Sequence, residues 1–414
     1  MRLLIWGIAP RSAKKVAEEK KKIDDNPKGR KDTKKYAELQ KKVEVFEQTK
    51  SLYRTSARPR TTDGGAVAVD GEALISIERA AIRRLEALED IKKKKESHFE
   101  EQKEIQKLLR FLHVYREYAK YEKLSSTFTG FPYWSDGRVH PSYKIHGTAT
   151  GRLSSSDPNA QNFAKEVLDV FESGKGYKII KADYSNIELR MLAYLTGEKA
   201  LIDAFESGTN IHDVNCQLLF GIEKDNPIWS VARRAAKVFV FGRSYGGSVE
   251  GIYKQLIVAV PELGLTLEHF KKMDKNYFDA LPAYKAWVAR MQKQARNTRC
   301  VETAFGRKRY LLGTPDEIER MALNTPIQGS AGEVALRAII ELDEALEKKF
   351  KYAKLIGTVH DSILIEAPDK DVKAICKLMK TIMEKEYLIE GRKVRFPVDI
   401  EVGQSWGVTE PVDV

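Results

Sequence analysis

Lys181-Ala182-Asp183-Tyr184-Ser185-Asn186-Ile187-Glu188-Leu189-Arg190 is the stretch around which the rest of the chain arranges itself. The residues before it, Tyr177–Ala182, form a short apolar run that reads as a buried strand. Asp183 stands at the C-terminal end of that strand, where the chain turns into a helix that runs to Gly197. A carboxylate at such a point can leave the core and meet a cation. Ser185-x-x-Glu188 also fits a capping box, in which Glu188 does no more than close the helix start.

Two further stretches answer to the first. In Thr358-Val359-His360-Asp361-Ser362-Ile363-Leu364-Ile365, apolar runs flank a polar triplet, which reads as a hairpin with a carboxylate at its tip. An ordinary surface turn containing Asp fits the same pattern. Between Arg233 and Gly246, the residues Arg233, Lys237, Phe241 and Tyr245 recur every fourth position and share one helix face. Two cations followed by two aromatics can grip a triphosphate at one end and stack on a base or sugar at the other. An amphipathic helix with aromatics in the core and cations reaching solvent has the same spacing. Gly242 within that helix points to a close approach by another group. Taken together, two strand-end aspartates and a cationic helix are the equipment for two-metal phosphoryl transfer. Mg²⁺ takes one or two carboxylates and leaves the rest of its shell to water and phosphates.

Composition and charge bound the class of protein further. Of 414 residues, 42% are apolar and 31% charged, which describes a globular chain, and no run is long and apolar enough for a membrane span. Three widely spaced cysteines, Cys216, Cys300 and Cys376, form neither a disulfide framework nor a zinc site, so a reducing compartment, cytoplasmic or nucleoid-associated, is expected. The net charge is +12, and residues 1–60 alone hold 18 basic and 8 acidic side chains. That basic arm suits a polyanion, or forms a solvated lysine-rich face. Helices are expected at 11–25, 31–52, 72–95 and 97–124, mostly helical structure over 199–300, a long helix at about 316–349, and a hairpin at 354–367, followed by one more helix and terminal strands.

Beyond these patterns, Asp183 to Arg190 resembles motif A of the A-family, bacterial DNA polymerase I-type, DNA polymerases. Arg233 to Gly246 resembles their motif B helix and His360-Asp361-Ser362 their motif C. Thr148-Ala149-Thr150-Gly151-Arg152-Leu153-Ser154-Ser155 with Pro158-Asn159-Ala160-Gln161-Asn162 is similar to the element before motif A. Glu302 to Arg309 and Asn324-Thr325-Pro326-Ile327-Gln328-Gly329-Ser330 match two more family stretches. Six elements stand in family order over roughly 105–365.

The resemblance implies an α+β right-hand fold: a helical thumb at 1–130, palm at 131–200 and 313–414 with an antiparallel sheet, and helical fingers at 201–312. It implies that Asp183 and Asp361, with the Tyr184 carbonyl, hold two Mg²⁺ ions, and that Lys237 joins the two aspartates as a catalytic residue. Arg233, Lys237 and His212 would meet the dNTP phosphates. Phe241 would lie beside its sugar and base, Tyr245 near the nascent pair, and Glu188 against a ribose 2′-hydroxyl. Arg152, Asn324, Gln328, His360 and Arg307 would contact DNA, the first four through minor-groove acceptors shared by all correct pairs. The expected partners are primer–template DNA and dNTPs.

The departures from the family pattern are Ser362 where Glu is usual, Asn186 where Gln is usual, a shorter, Arg-poor Phe163–Phe171 stretch and an abbreviated Arg309–Glu319 connection. They bear on efficiency and on the grip on primer–template more than on chemistry. A single-subunit RNA polymerase and an inactive, DNA-binding scaffold are the alternatives; Glu188 argues against the first, and retention of Asp183, Asp361, Arg233 and Lys237 against the second. No 3′–5′ exonuclease segment is recognisable in the sequence, so editing is expected to be absent or supplied by a separate exonuclease or other replisome protein.

Overall fold

The structure is a computed structural model and describes residues 71–89, 96–128 and 135–414. The helices expected at 11–25 and 31–52, and the basic arm that contains them, lie outside the described residues. The chain divides into two units, Met1–Thr127 and Phe128–Val414.

In the first unit, α1 (Gly71–Glu89) and α2 (Glu96–Phe128) form an antiparallel pair. Ala81, Leu88 and Ile105 are buried between them, with Leu85, Leu108 and Leu109 packed around. Arg84 to Glu101 and Arg116 to Glu78, each at 2.7 Å, flank this small core. The apolar spacing at Leu108 and Leu109 was legible as a helix face, and it is the face that packs.

In the second unit the centre is β3 (Tyr177–Tyr184), where Ile180, Ala182 and Tyr184 alternate inward. It lies between β7 (Ser362–Pro368) and β10 (Val398–Gly403) in a five-stranded sheet completed by β6 (Lys354–Val359) beside β7 and β11 (Thr409–Pro411) beside β10. Three two-stranded ribbons, β1 (Ser142–Lys144) with β2 (Ser154–Ser156), β4 (Cys300–Glu302) with β5 (Lys308–Tyr310) and β8 (Tyr387–Ile389) with β9 (Arg392–Val394), accompany it, and every pairing is antiparallel. The register sets Asp183 opposite Ser362 on one side and Asp399 on the other, so all three side chains leave the same face. The helix α11 (Val372–Met383) covers the opposite face with Ile375, Cys376, Met379 and Met383, all fully buried.

From β3 the chain passes through α3 (Ile187–Thr196), which ends on Gly197 at φ +68°, into a helical layer. That layer comprises α4 (Lys199–Glu206), α5 (Ile211–Phe220), α6 (Trp229–Ser244), α7 (Val249–Ala259), α8 (Leu267–Ala280) and α9 (Pro282–Thr298). Edge-on contacts of Phe239 with Phe270 and Tyr277 hold α6 against α8. α9 starts with Pro282 and has no capping side chain of its own; Glu198 supplies it, accepting from the Ala283 and Tyr284 amides at 2.9 and 3.1 Å.

The long helix α10 (Pro315–Lys349) opens with a full capping box between Thr314 and Glu317. Pro326 lies inside it, and Ser330 donates to the Pro326 carbonyl. Its small residues admit neighbours closely. A Cβ at Gly329 would sit 2.7 Å from Thr303 Cγ2, and one at Gly332 3.1 Å from Arg152 Cγ. Among the described residues no helix is long and apolar enough to cross a membrane.

Candidate active site

The end of β3 and the β6–β7 turn meet. The Tyr184 amide reaches the Asp361 carbonyl at 3.4 Å, so the two aspartates stand side by side. His360 and Asp361 form a two-residue turn, and His360 takes φ +53° because so tight a hairpin needs a left-handed residue there. Ser362 secures the turn: its buried hydroxyl donates to the Val359 carbonyl at 2.9 Å, and Thr358 donates to the Ser362 carbonyl at 2.8 Å. The Tyr184 ring is anchored away from the turn, its hydroxyl donating to the Met383 carbonyl at 3.1 Å, which leaves its backbone to face the site.

The Asp183 carboxylate makes no hydrogen bond or ion pair among the described residues. Its pKa is raised, first by desolvation and then by Asp361, Asp399 and Glu401, with Lys181 opposing. An unpaired carboxylate crowded by other acids has the chemistry that a hard cation relieves. No cluster of three or more His, Cys, Asp or Glu among the described residues is arranged to hold a metal. Asp183 and Asp361 are the two carboxylates here that could hold a hard cation such as Mg²⁺, which takes one or two carboxylates and leaves the rest of its shell to water and phosphates.

Glu188 does not cap α3. Asn186, at φ +53°, occupies the N-cap and makes no side-chain cap, while Ser185 donates to Asp399 instead. Glu188, only 6% exposed, is drawn across the site: one oxygen takes Arg152, the other the Tyr245 hydroxyl. The same Nη2 of Arg152 lies 3.0 Å from Asp361 Oδ1. Burial opposes the charge on Arg152, but Glu188 and Asp361 outweigh it and its pKa is raised. Gln328 also hydrogen-bonds Tyr245, and desolvation followed by Glu188 pushes that phenol well above its ordinary value.

The α6 stripe forms as its spacing indicated. Arg233 pairs with Asp213 at 2.5 Å and with Asn210 at 3.1 Å, and Lys224 reaches the other Asp213 oxygen at 2.7 Å. Burial resists ionisation of Asp213, yet Lys224 and Arg233 prevail and its pKa is lowered. Lys237 is exposed and has no acidic partner among the described residues. His212 is 7% exposed, lies beside Phe241 at 6.0 Å between ring centres, and leaves Nδ1 unpartnered. Burial, then Lys237 and Arg233, hold its pKa at about 4. Lys237, Phe241, Tyr245 and Arg320 line a cavity of about 630 Å³. The close approach signalled by Gly242 is made by Ile252 of α7, 2.8 Å from where a Cβ would stand.

On the other side, Arg152 and His360 line a smaller cavity of about 250 Å³ with Gln161 and Asn162. Asn324 Oδ1 is buried without a partner. Arg307, expected to touch DNA, is engaged internally: it pairs with Glu333 at 2.8 Å, donates to the Thr150 carbonyl, and packs on Gly151 at φ +81°. Sequence reasoning missed Asp399 and Asp213. The signal for Asp399 was its place between the inward Val398 and Ile400, which puts it on the outward face.

An antiparallel sheet that offers two carboxylates, set against a helix carrying cations and aromatics, is the palm-and-fingers arrangement of a polymerase fold. The chain belongs to DNA polymerase family A, whose model matches residues 76–408. "DNA polymerase I, thermostable" of Thermus aquaticus is 33% identical over 307 residues, which is 70% of this chain and 35% of that protein. "DNA polymerase I" of Lactococcus lactis subsp. lactis is 34% identical over 306 residues, 70% of this chain and 34% of its own. This chain thus spans about a third of the length of these curated relatives. Among solved structures, the POL domain of Pol1 from M. smegmatis, in complex with DNA primer-template and dNTP, superposes with a TM-score of 0.66 at 26% identity, over 86% of this chain and 60% of that one.

Proposed function

We propose that the chain is a template-directed DNA polymerase that adds deoxynucleotides to a primer 3′-hydroxyl, using two Mg²⁺ ions held by Asp183, Asp361 and the Tyr184 carbonyl. The observation that carries this reading is the meeting of the Asp183 strand end and the Asp361 turn, with Glu188 beside them bonded to Tyr245 at the end of the α6 stripe. Residues 131–200 and 313–414 act as palm, 201–312 as fingers and 1–130 as thumb.

When bound, the ions favour loss of the primer hydroxyl proton and offset charge on the triphosphate. The chain's own groups do the rest. Lys237 and Arg233 bind phosphate oxygens, Arg233 exchanging Asp213 for the ligand. His212, neutral at physiological pH, offers a ring N–H without adding charge. Glu188 is buried and accepts from the Tyr245 hydroxyl, so a ribose 2′-hydroxyl meets a positioned carboxylate. Phe241 packs beside the sugar. Arg152, Asn324, Gln328 and His360 meet minor-groove acceptors, which test pair geometry and not sequence. Arg307 serves DNA binding indirectly, by fixing the Thr150–Arg152 segment against α10.

Primer extension by the purified chain tests the reading. Mg²⁺-dependent, template-directed addition of dNTPs is expected. Binding of primer–template without extension would instead make the chain an inactive scaffold, and preferential use of rNTPs would make it an RNA polymerase.

A further inference from the structure

The position of Arg152 is unusual for a residue that is to contact DNA. Its Nη2 is shared between Glu188 and Asp361, so a cation already sits on one of the two carboxylates that would hold metal. Its stem is fixed: Gly332 of α10 lies so close that a Cβ there would be 3.1 Å from Arg152 Cγ, and the Arg152 carbonyl accepts from Thr148 at 2.7 Å. Its Nε is buried and has no acceptor, so the arrangement leaves a donor unspent, and the residue is one of those that line the cavity shared with His360 and Gln161. An unpaired buried donor is costly, and an acceptor brought into that cavity would be taken up readily.

We propose that Arg152 couples primer binding to metal loading. In the free protein it is the placeholder cation on Asp361; a primer terminus, by offering minor-groove acceptors, draws the guanidinium off and releases Asp361 to take metal. The inference rests on the reading of Asp183 and Asp361 as metal ligands. Its consequence is a linkage. Primer–template and divalent metal strengthen each other's binding by the same factor, and that factor passes through one side chain. Without DNA, metal binds the site less tightly, so an idle enzyme assembles its reactive centre less readily. Glu188 keeps the Tyr245 hydroxyl when Arg152 leaves, so the sugar-side wall survives the exchange.

The test is Mn²⁺ binding to the full chain, read from the electron paramagnetic resonance of the free ion, with and without a primer–template whose primer ends in a dideoxynucleotide. The wild type should bind Mn²⁺ weakly alone and more tightly with DNA. Arg152→Ala should bind Mn²⁺ alone about tenfold more tightly than wild type, the effect of removing a competitor worth about 1.4 kcal/mol. The tightening caused by DNA should shrink by a similar factor. Arg152→Lys keeps the charge but replaces the planar guanidinium, whose Nη2 touches both carboxylates, with a compact ammonium, and should fall between the two. It also serves if the alanine variant folds poorly, which thermal unfolding would reveal. Equal Mn²⁺ affinity of wild type and variant without DNA, or undiminished tightening by DNA, would overturn the coupling. If wild type binds no Mn²⁺ even with primer–template and dNTP, the metal assignment itself fails, a result distinct from failure of the coupling.

Discussion

The Tyr245 hydroxyl at the end of α6 donates to Glu188 at the start of α3. This bond ties the helix carrying the cationic stripe to the strand end carrying Asp183, and makes Glu188 a wall with two supports. Glu188→Ala removes the wall. Its ribonucleotide to deoxyribonucleotide ratio of kcat/KM should rise by about tenfold or more, in line with the discrimination that a steric fit supplies. Tyr245→Phe keeps the ring but frees one carboxylate oxygen, and should raise the ratio less. Single-nucleotide incorporation with matched rNTP and dNTP measures both.

Phe241 follows Lys237 by one turn on the same face. As the family resemblance implies, a phenyl ring cannot replace the interactions of a missing 3′-hydroxyl. Phe241→Tyr adds a hydroxyl and should relax discrimination against dideoxynucleotides, seen as earlier chain termination at fixed ddNTP:dNTP ratio. Unchanged termination would remove this helix from the sugar.

Ser362 stands where the family pattern has an acid, and its hydroxyl is spent on the Val359 carbonyl. Ser362→Ala should therefore cost about 1 kcal/mol of stability, the net worth of one hydrogen bond, and leave extension within a few-fold of wild type. Urea unfolding and primer extension on the same preparation separate the two effects.

His212 is held at about 4, against an ordinary 6.5, by burial and then by Lys237 and Arg233. Between these values the unfolded chain binds a proton that the folded chain refuses, so stability rises with pH. The contribution is complete above about 6.5 and is lost as pH falls toward 4. His212→Gln should flatten the stability profile between these limits. A His212 imidazole titrating near 6.5 in the folded chain, followed by NMR, would contradict the assignment.

Glu198 caps α9 from a distant part of the chain. Glu198→Ala leaves two amides of that helix start unpaired and should destabilise the fold by about 1–2 kcal/mol. Glu198→Gln, which keeps one acceptor oxygen, should recover much of the loss in thermal unfolding.

How much of this was open to the sequence depended on the distance between partners. β3, the β6–β7 hairpin and the α6 stripe rest on short apolar runs or four-residue spacing, and each forms where its pattern stands. Ser185 and Glu188 show where local reading stops. Their spacing fits a capping box, yet Arg152 and Tyr245, remote in sequence, offer Glu188 charge-assisted bonds that outcompete a surface cap. Asp399 could be assigned an outward face from Val398 and Ile400, but only the β3–β10 register brings it opposite Asp183. Arg307 carried a family position, but nothing nearby revealed that Glu333 and the Thr150 carbonyl would claim its guanidinium.

The central claim is that Asp183 and Asp361 together hold the metals of nucleotide addition. Asp361→Asn and Asp183→Asn are close in shape and should fold, with primer–template affinity within a few-fold of wild type. Their single-turnover rate of dNTP incorporation with Mg²⁺ should fall by about a thousandfold or more, since metal-borne charge stabilisation supplies several kcal/mol of the barrier reduction. Incorporation by either variant at near wild-type rate would contradict the account.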